Sequence, residues 1–381
     1  MPIEREVDTI IIGGGISGLA CAKKLQEYNK EFLLITKDIG GRILSSKDGN
    51  VNYGAYFVLK NYHNILPYIK KKERMHPLQI GFHWHGKNYH LIRMMKHPIE
   101  TIRFIITLKI FKKKYEKFKI LCLNKSQKEV IESDEYYKSL YFQTAEEFIK
   151  NKKFEKITEK FLSEGIYMCT FEKINKISAL DFLRLCTALI IPAYEFEFLK
   201  NRLIDKFKDK IKIDVVTSIK DKKIKTKKGL VYKTKNLVIA TPPKISKKLL
   251  GLRNIKKPSN CFGIHLLGEL KKKSGQYELF PNRSEIIFIR KQQDGSYIVY
   301  SKIKKIDLKR YFTNPRVINI QEWKPAFHTY GKIIWKSNSR KDTYLIGDHN
   351  LIGMEDAFIT GIYAANQIIK SSSNNSQKQQ D

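Results

Sequence analysis

Cysteine is scarce in this chain and scattered: Cys21, Cys122, Cys169, Cys186 and Cys261, with no C-x-x-C pair. That spacing excludes a dithiol redox motif and a zinc knuckle, and predicts reduced thiols in a cytoplasmic protein. No apolar run reaches the roughly eighteen residues that a membrane-crossing helix needs. The first strand pattern begins by about residue 7, which predicts that no leader precedes it in this sequence. There is no Gly-x-Ser-x-Gly elbow and no Cys/His arrangement, so covalent hydrolysis has no support. His83 and His85 alternate on an expected strand, but no carboxylate or cysteine stands at ligand spacing, and no metal is expected.

Negative charge is the other shortage. Against 72 Lys and Arg stand 38 Asp and Glu, giving a net charge of +34, with only 13 arginines among the basic residues. Nothing resembles a recognition helix or a base-stacking module, so nucleic acid is not an expected partner. Two readings stay open: a solvated, compositional surface, or attraction to anionic lipid headgroups. The second has a local candidate after Pro98, where Phe104, Leu108, Phe111, Tyr115 and Phe118 fall on one helical face beside Lys112–Lys114 and Lys117. Such a helix would lie in a headgroup interface or pack on its own domain. The expected location is cytoplasmic, either free or peripheral on the inner membrane face.

What the chain does have is glycine in particular places. Val7–Ile12 reads as a buried strand that runs into Gly13-Gly14-Gly15-Ile16-Ser17-Gly18 and then a helical pattern. In G-x-G-x-x-G, Gly13 permits the tight turn, Gly15 admits a pyrophosphate to the backbone, and Gly18 lets helix pack on strand. The helix N–H groups then face the phosphates. A bound dinucleotide is the reading of these residues.

Further elements follow in order. A second strand, Phe32–Ile35, leads to Gly40-Gly41-Arg42, and Asn52-Tyr53-Gly54-Ala55-Tyr56 comes after it. Lys212–Ile219 and Asn236–Ala240 read as strands, the latter ending in Ala240-Thr241-Pro242. Near the end stand Glu322–Tyr330, Tyr344-Leu345-Ile346-Gly347-Asp348 and a helix opened by Gly353-Met354-Glu355. This order resembles the flavin-containing amine oxidase superfamily, which includes the protoporphyrinogen oxidases and phytoene desaturases. The resemblance implies an α/β fold: a Rossmann-like FAD-binding domain interleaved with an α+β substrate domain. It would divide the chain into 1–60, 196–245 and 338–370 for FAD, and 61–195 and 246–337 for substrate. The polar residues 371–381 are expected to be disordered.

The resemblance also implies roles. Gly13, Gly15, Ile16, Ser17, Gly18, Gly41 and Arg42 would hold the pyrophosphate, with Thr36 and Lys37 near the ribose. Val216, Ala240 and Thr241 would border the adenine side. Gly54, Ala55 and Tyr56 would approach the flavin, Asp348 after Gly347 would accept a ribityl hydroxyl, and Met354 and Glu355 would open the helix facing the ring. Tyr56, His265, Tyr330 and Trp335 are the candidates for the reacting face. Residues 324–347 contain no cysteine, so FAD would be held non-covalently.

The implied activity is removal of a hydride from a small molecule, either an amine or an apolar porphyrinogen- or isoprenoid-type substrate. The strand Asn260–Gly268 lacks the lysine that amine oxidases place near the flavin, which leans towards a dehydrogenase or desaturase. Two alternatives stay open. One is a mutase similar to UDP-galactopyranose mutase, which has Gly-Gly-Asn where this chain has Gly40-Gly41-Arg42. The other is a non-enzymatic basic binding protein on the same fold. The pattern is broken in three places: Thr36 stands where an acid usually grips the ribose, Asn52 replaces an acid, and His328 replaces a proline. Either Asp38 or a weaker Thr36 bond would then serve the ribose. Oligomeric state is not legible.

Overall fold

The computed structural model describes residues 4–76, 79–84, 87–273, 275–281, 284–337 and 340–377. His85 lies outside them. Strand β1 (Glu4–Gly14) is the centre of a seven-stranded sheet, and its Ile10, Ile11 and Ile12 are all buried. An uninterrupted isoleucine run suits a parallel strand covered on both faces. β1 pairs in parallel with β2 (Leu33–Ile39) on one side and with Val231–Ile239 on the other. Ile211–Ile213 extends the sheet beyond β2, and Thr343–Leu345 joins Val231–Ile239 in parallel. Val216–Lys220 and Lys223–Thr226 complete it as an antiparallel meander. The stretch read as one strand over 212–219 is thus broken at Asp214-Val215, where the chain leaves one edge of the sheet for the other.

Helix α1 (Ile16–Glu27) follows the glycine turn and buries Leu19, Ala20, Cys21, Ala22 and Leu25. It packs against the last helix, Met354–Gln377. Small residues make that contact: a Cβ on Gly361 would sit 2.1 Å from the Ser17 carbonyl oxygen. The last helix runs to Gln377, so 371–377 of the tail expected to be disordered are helical. The Ser371 and Ser372 hydroxyls donate to the Ile368 carbonyl, extending a helix whose inner face is anchored by Ala364, Ala365 and Ile368.

A second seven-stranded sheet is antiparallel apart from one pairing, and is built on the long partners Lys257–Leu270 and Phe312–Tyr330. Phe57–Leu59, Ala193–Phe198 and Ile69–Met75 form a third sheet. Helices fill 98–186, the longest being α2 (Pro98–Leu121).

Of the two placements open for the α2 aromatic row, packing on its own domain is the one observed. Its Phe104, Leu108, Phe111, Tyr115 and Phe118 point inward and are buried. Phe104 packs edge-on against Phe154 at 5.3 Å, and Phe111, Tyr115 and Phe118 stack in series. Aromatic side chains bury more apolar area than any neighbour, so this row was drawn into the core and cannot meet lipid. Among the described residues no helix is long and apolar enough to cross a membrane.

Candidate active site

The glycine turn sits at the carboxyl end of β1, where open α/β sheets receive ligands. Gly13 takes φ +112°, and a Cβ there would lie 2.6 Å from the Ala240 carbonyl oxygen. A Cβ on Gly18 would meet the Gly13 carbonyl oxygen at 2.0 Å, so its role is the close seating of α1 on β1. Gly15 is different: a Cβ there would meet nothing within 4 Å, because it faces open space. No side chain caps α1 at Gly15, which leaves its first N–H groups free for an anion.

The Gly40-Gly41-Arg42 turn closes over this one. Gly40 N–H donates to the Gly14 carbonyl at 2.8 Å, and a Cβ on Gly41 would approach Gly15 Cα to 3.2 Å. Arg42 then crosses to the other end of the chain. Its guanidinium donates to both Asp348 carboxylate oxygens, at 2.7 and 2.6 Å, and to the Ala326 carbonyl at 2.8 Å. Burial opposes charge on Asp348, but Arg42 outweighs it and holds the carboxyl at about 2. The Gly54-Ala55 turn hangs from the same arginine, with Ala55 N–H donating to the Arg42 carbonyl at 3.0 Å.

These elements line one cavity of about 620 Å³. Of the residues singled out in the sequence, Gly13, Gly15, Ile16, Ser17, Thr36, Lys37, Gly41, Arg42, Gly54, Ala55, Tyr56, Val216, Ala240, Thr241, Gly347, Asp348 and Met354 face it. Thr36 is committed to the turn: its hydroxyl accepts from Gly14 N–H at 2.8 Å and donates to the Asp38 carbonyl at 2.5 Å. Asp38 lines the cavity, and so does Asp214, a buried carboxylate from the neighbouring strand edge.

Other expected residues are not brought there. His265 lies behind Tyr53, sharing hydrogen bonds with the Tyr53 hydroxyl at 3.1 Å and the Ser296 hydroxyl at 2.8 Å, and burial lowers its pKa. The long antiparallel strand turns that side chain away from the cavity wall. Trp335 packs beside the Leu249–Leu250 cluster, and its backbone N–H donates to the Asn350 side-chain oxygen at 2.7 Å. Glu355 accepts from the Asn64 and Ile65 N–H groups at 2.9 and 3.1 Å, so it ties the last helix to the third sheet. The side chain of Tyr330 lies outside the described residues.

Sequence reasoning passed over several residues that do face the cavity. Met168, Cys169, Phe171, Arg184 and Tyr300 form its wall beyond Tyr56, beside Trp323 and Phe327 from the Glu322–Tyr330 segment that the sequence did single out. Arg184 is buried between Asp181 and Asp356, at 3.4 and 3.8 Å. His328 is the sharpest case. It is buried in the cavity lining and neither ring nitrogen has a protein partner. Burial lowers its pKa to about 4, reinforced by Arg42 and Lys256 and opposed by Asp348. The one sequence signal was its place in a position where the family pattern has proline.

Comparison with known proteins agrees with this layout. Residues 11–97 match the family described as an NAD(P)-binding Rossmann-like domain. A 56-residue stretch is 46% identical to flavin-containing amine oxidase A of Sus scrofa, spanning 13% of this chain and 11% of that relative. The wild-type putrescine oxidase structure bound to putrescine superimposes with a TM-score of 0.67 at 12% identity, covering 97% of this chain and 100% of that one. Cyclohexylamine oxidase from Brevibacterium oxydans gives 0.65, also at 12% identity, over 97% and 99%. The fold is thus like that of the solved amine oxidase structures, with a Rossmann-like nucleotide-binding part over residues 11–97.

Proposed function

We propose that the protein is an FAD-dependent oxidoreductase that holds its cofactor non-covalently and removes a hydride from a small molecule. One observation carries this reading: five separated stretches of chain, around Gly13, Arg42, Ala55, Thr241 and Asp348, meet on a single cavity. The residues fit an FAD. Gly15 leaves room where a side chain would intrude, and α1 offers uncapped N–H groups to a pyrophosphate. Asp38 and Asp214 are the carboxylates that can take over the ribose contact. Asp348, held ionised by Arg42, can accept a hydrogen bond from a cofactor hydroxyl.

Bound FAD would supply the hydride acceptor, and the protein supplies orientation, desolvation and electrostatics. Tyr56, Phe171, Tyr300, Trp323 and Phe327 exclude water from the far half of the cavity and present flat apolar faces to a substrate. The Trp323 N–H is fixed to the Tyr53 carbonyl at 3.0 Å, which holds that ring in place. His328 is neutral near pH 7 and has both ring nitrogens to offer, one as donor and one as acceptor.

The structural neighbours are oxidases of amines, and an amine is one candidate substrate. The wall chemistry favours the other, an apolar porphyrinogen- or isoprenoid-type molecule. The faces of that wall are largely aromatic, from Tyr56, Phe171, Tyr300, Trp323 and Phe327. The decisive experiment is an anaerobic screen that follows loss of the flavin's visible absorbance. Bleaching by a polyene or porphyrinogen, but not by amines, is the expected result. A protein that neither contains nor takes up FAD would overturn the assignment.

A further inference from the structure

The inward turn of the α2 aromatics leaves a second apolar row on that helix more than half exposed. Ile99, Ile102, Ile106 and Ile110 recur at intervals of three and four, and are 73%, 56%, 51% and 53% exposed. At about 100° per residue they fall on the side opposite Phe104, Leu108 and Phe111. The turn that leads into α2, Leu91–Lys96, adds Ile92 and Met95, both more than half exposed. Six large exposed apolar side chains therefore stand on α2 and the turn that enters it. Single exposed apolar residues are ordinary, but a continuous row of this length marks an interaction site.

The charges around the strip identify what it fits. Residues 92–121 contain nine Lys and Arg and two acids. Arg93, Lys96, Arg103, Lys109, Lys112, Lys113 and Lys117 are exposed, the last two continuing the isoleucine row along the same side of the helix. Both acids are engaged elsewhere: Glu100 accepts from Ile157 N–H, and Glu116 pairs with Lys119 and accepts from Asn61. An apolar strip bordered by lysines, on a protein of net charge +34, is complementary to a surface with anionic headgroups above hydrocarbon.

We propose that this face of α2 and the turn before it seats the protein on anionic membranes. The isoleucines enter the acyl boundary while the lysines remain among the headgroups. The placement suits an apolar substrate. α2 packs on the helix Ala179–Cys186, which sends Arg184 and Leu185 into the cavity wall, so the docked face and the site are one helix apart.

The test uses the full chain with vesicles of phosphatidylcholine alone, and with phosphatidylserine added to about one third, in a flotation assay. Binding to the anionic vesicles should exceed binding to the neutral ones by at least about tenfold at low salt, and should fall in high salt as the charges are screened. The variant Ile102→Asp/Ile106→Asp/Ile110→Asp should lose at least about tenfold in binding while keeping its thermal transition, because these side chains make no core contact. Replacing Lys109, Lys112, Lys113 and Lys117 by Gln should remove most of the preference for anionic lipid. Undiminished binding by the isoleucine variant overturns the proposal, as does a wild type that ignores anionic vesicles. A dimer in sedimentation that the isoleucine substitutions dissociate also overturns it, by assigning the face to a second copy of the chain. None of these results depends on FAD or on turnover, so failure here leaves the cofactor reading intact.

Discussion

Arg42 and Asp348 stand 306 residues apart and share a two-point ion pair inside the cavity. The pair joins the turn after the second strand to the loop before the last helix, and fixes the carboxylate on the cavity wall. Replacing Asp348 by Ala should weaken FAD binding by about 1–3 kcal/mol, the cost of losing a charge-assisted hydrogen bond. Titration of the apoprotein with FAD, read by flavin fluorescence, measures it. Affinity equal to wild type would mean that Asp348 serves Arg42 alone.

Two glycines of one motif should respond differently. Gly13→Ala brings a Cβ against the Ala240 backbone at a backbone angle disfavoured for L residues, so it should lower the thermal transition. Gly15→Val has space for its side chain in the cavity, so the fold should survive while FAD uptake drops by at least about tenfold. Measuring melting and flavin content together separates the effects. Equal damage to both properties in both variants would refute this division of roles.

Acid should loosen the site well before it protonates carboxylates. His328 and His349 have folded-state pKa values of about 4, lowered chiefly by burial, against an ordinary value of 6.5. Between those values the unfolded chain binds more protons than the native one, so stability falls as pH drops from about 6.5 to 4. The loss is on the order of 1.4 kcal/mol per pKa unit for each histidine. Denaturant midpoints across that range should fall in the wild type and fall less steeply in His328→Gln. An identical slope in the variant would remove His328 as a source.

Cys169 lies in the cavity wall, so a covalent flavin link needs a direct answer. Burial pushes its thiol up to about 12, leaving almost no thiolate at neutral pH. Acid or heat should therefore release intact FAD into the supernatant, and Cys169→Ser should bind flavin as the wild type does. Flavin that stays with precipitated wild type, but not with the serine variant, would show a covalent bond.

The parts of the site legible in the sequence are those in which backbone does the work. Gly13, Gly41 and Gly54 mark turns where a Cβ would be crowded or strained, and Gly15 one where a side chain would stand in the open cavity; such turns leave a local signature. Arg184 reaches the cavity from a helix whose partners lie far along the chain, and nothing next to it in sequence signals it; Asp214 and His328 stood inside segments that were read, but their side-chain directions were set by distant partners. His265 shows the converse error. It stood on the right strand, yet the pairing of Lys257–Leu270 with its neighbours turned it behind Tyr53. For α2 the period was readable but its orientation was not. The helix has an apolar row on each side, and the larger aromatic one won the core.

The contact of α1 with the last helix sets the order in which this chain can become whole. The surface that covers the helix after the glycine turn is made some three hundred residues after the turn itself. Until Gly361 emerges, the small-residue side of α1 has no cover and Arg42 has no carboxylate. A growing chain therefore carries an unfinished nucleotide fold until that last helix is made, at the stage when exposed strands aggregate. Its need for protection by chaperones should end only with the last helix.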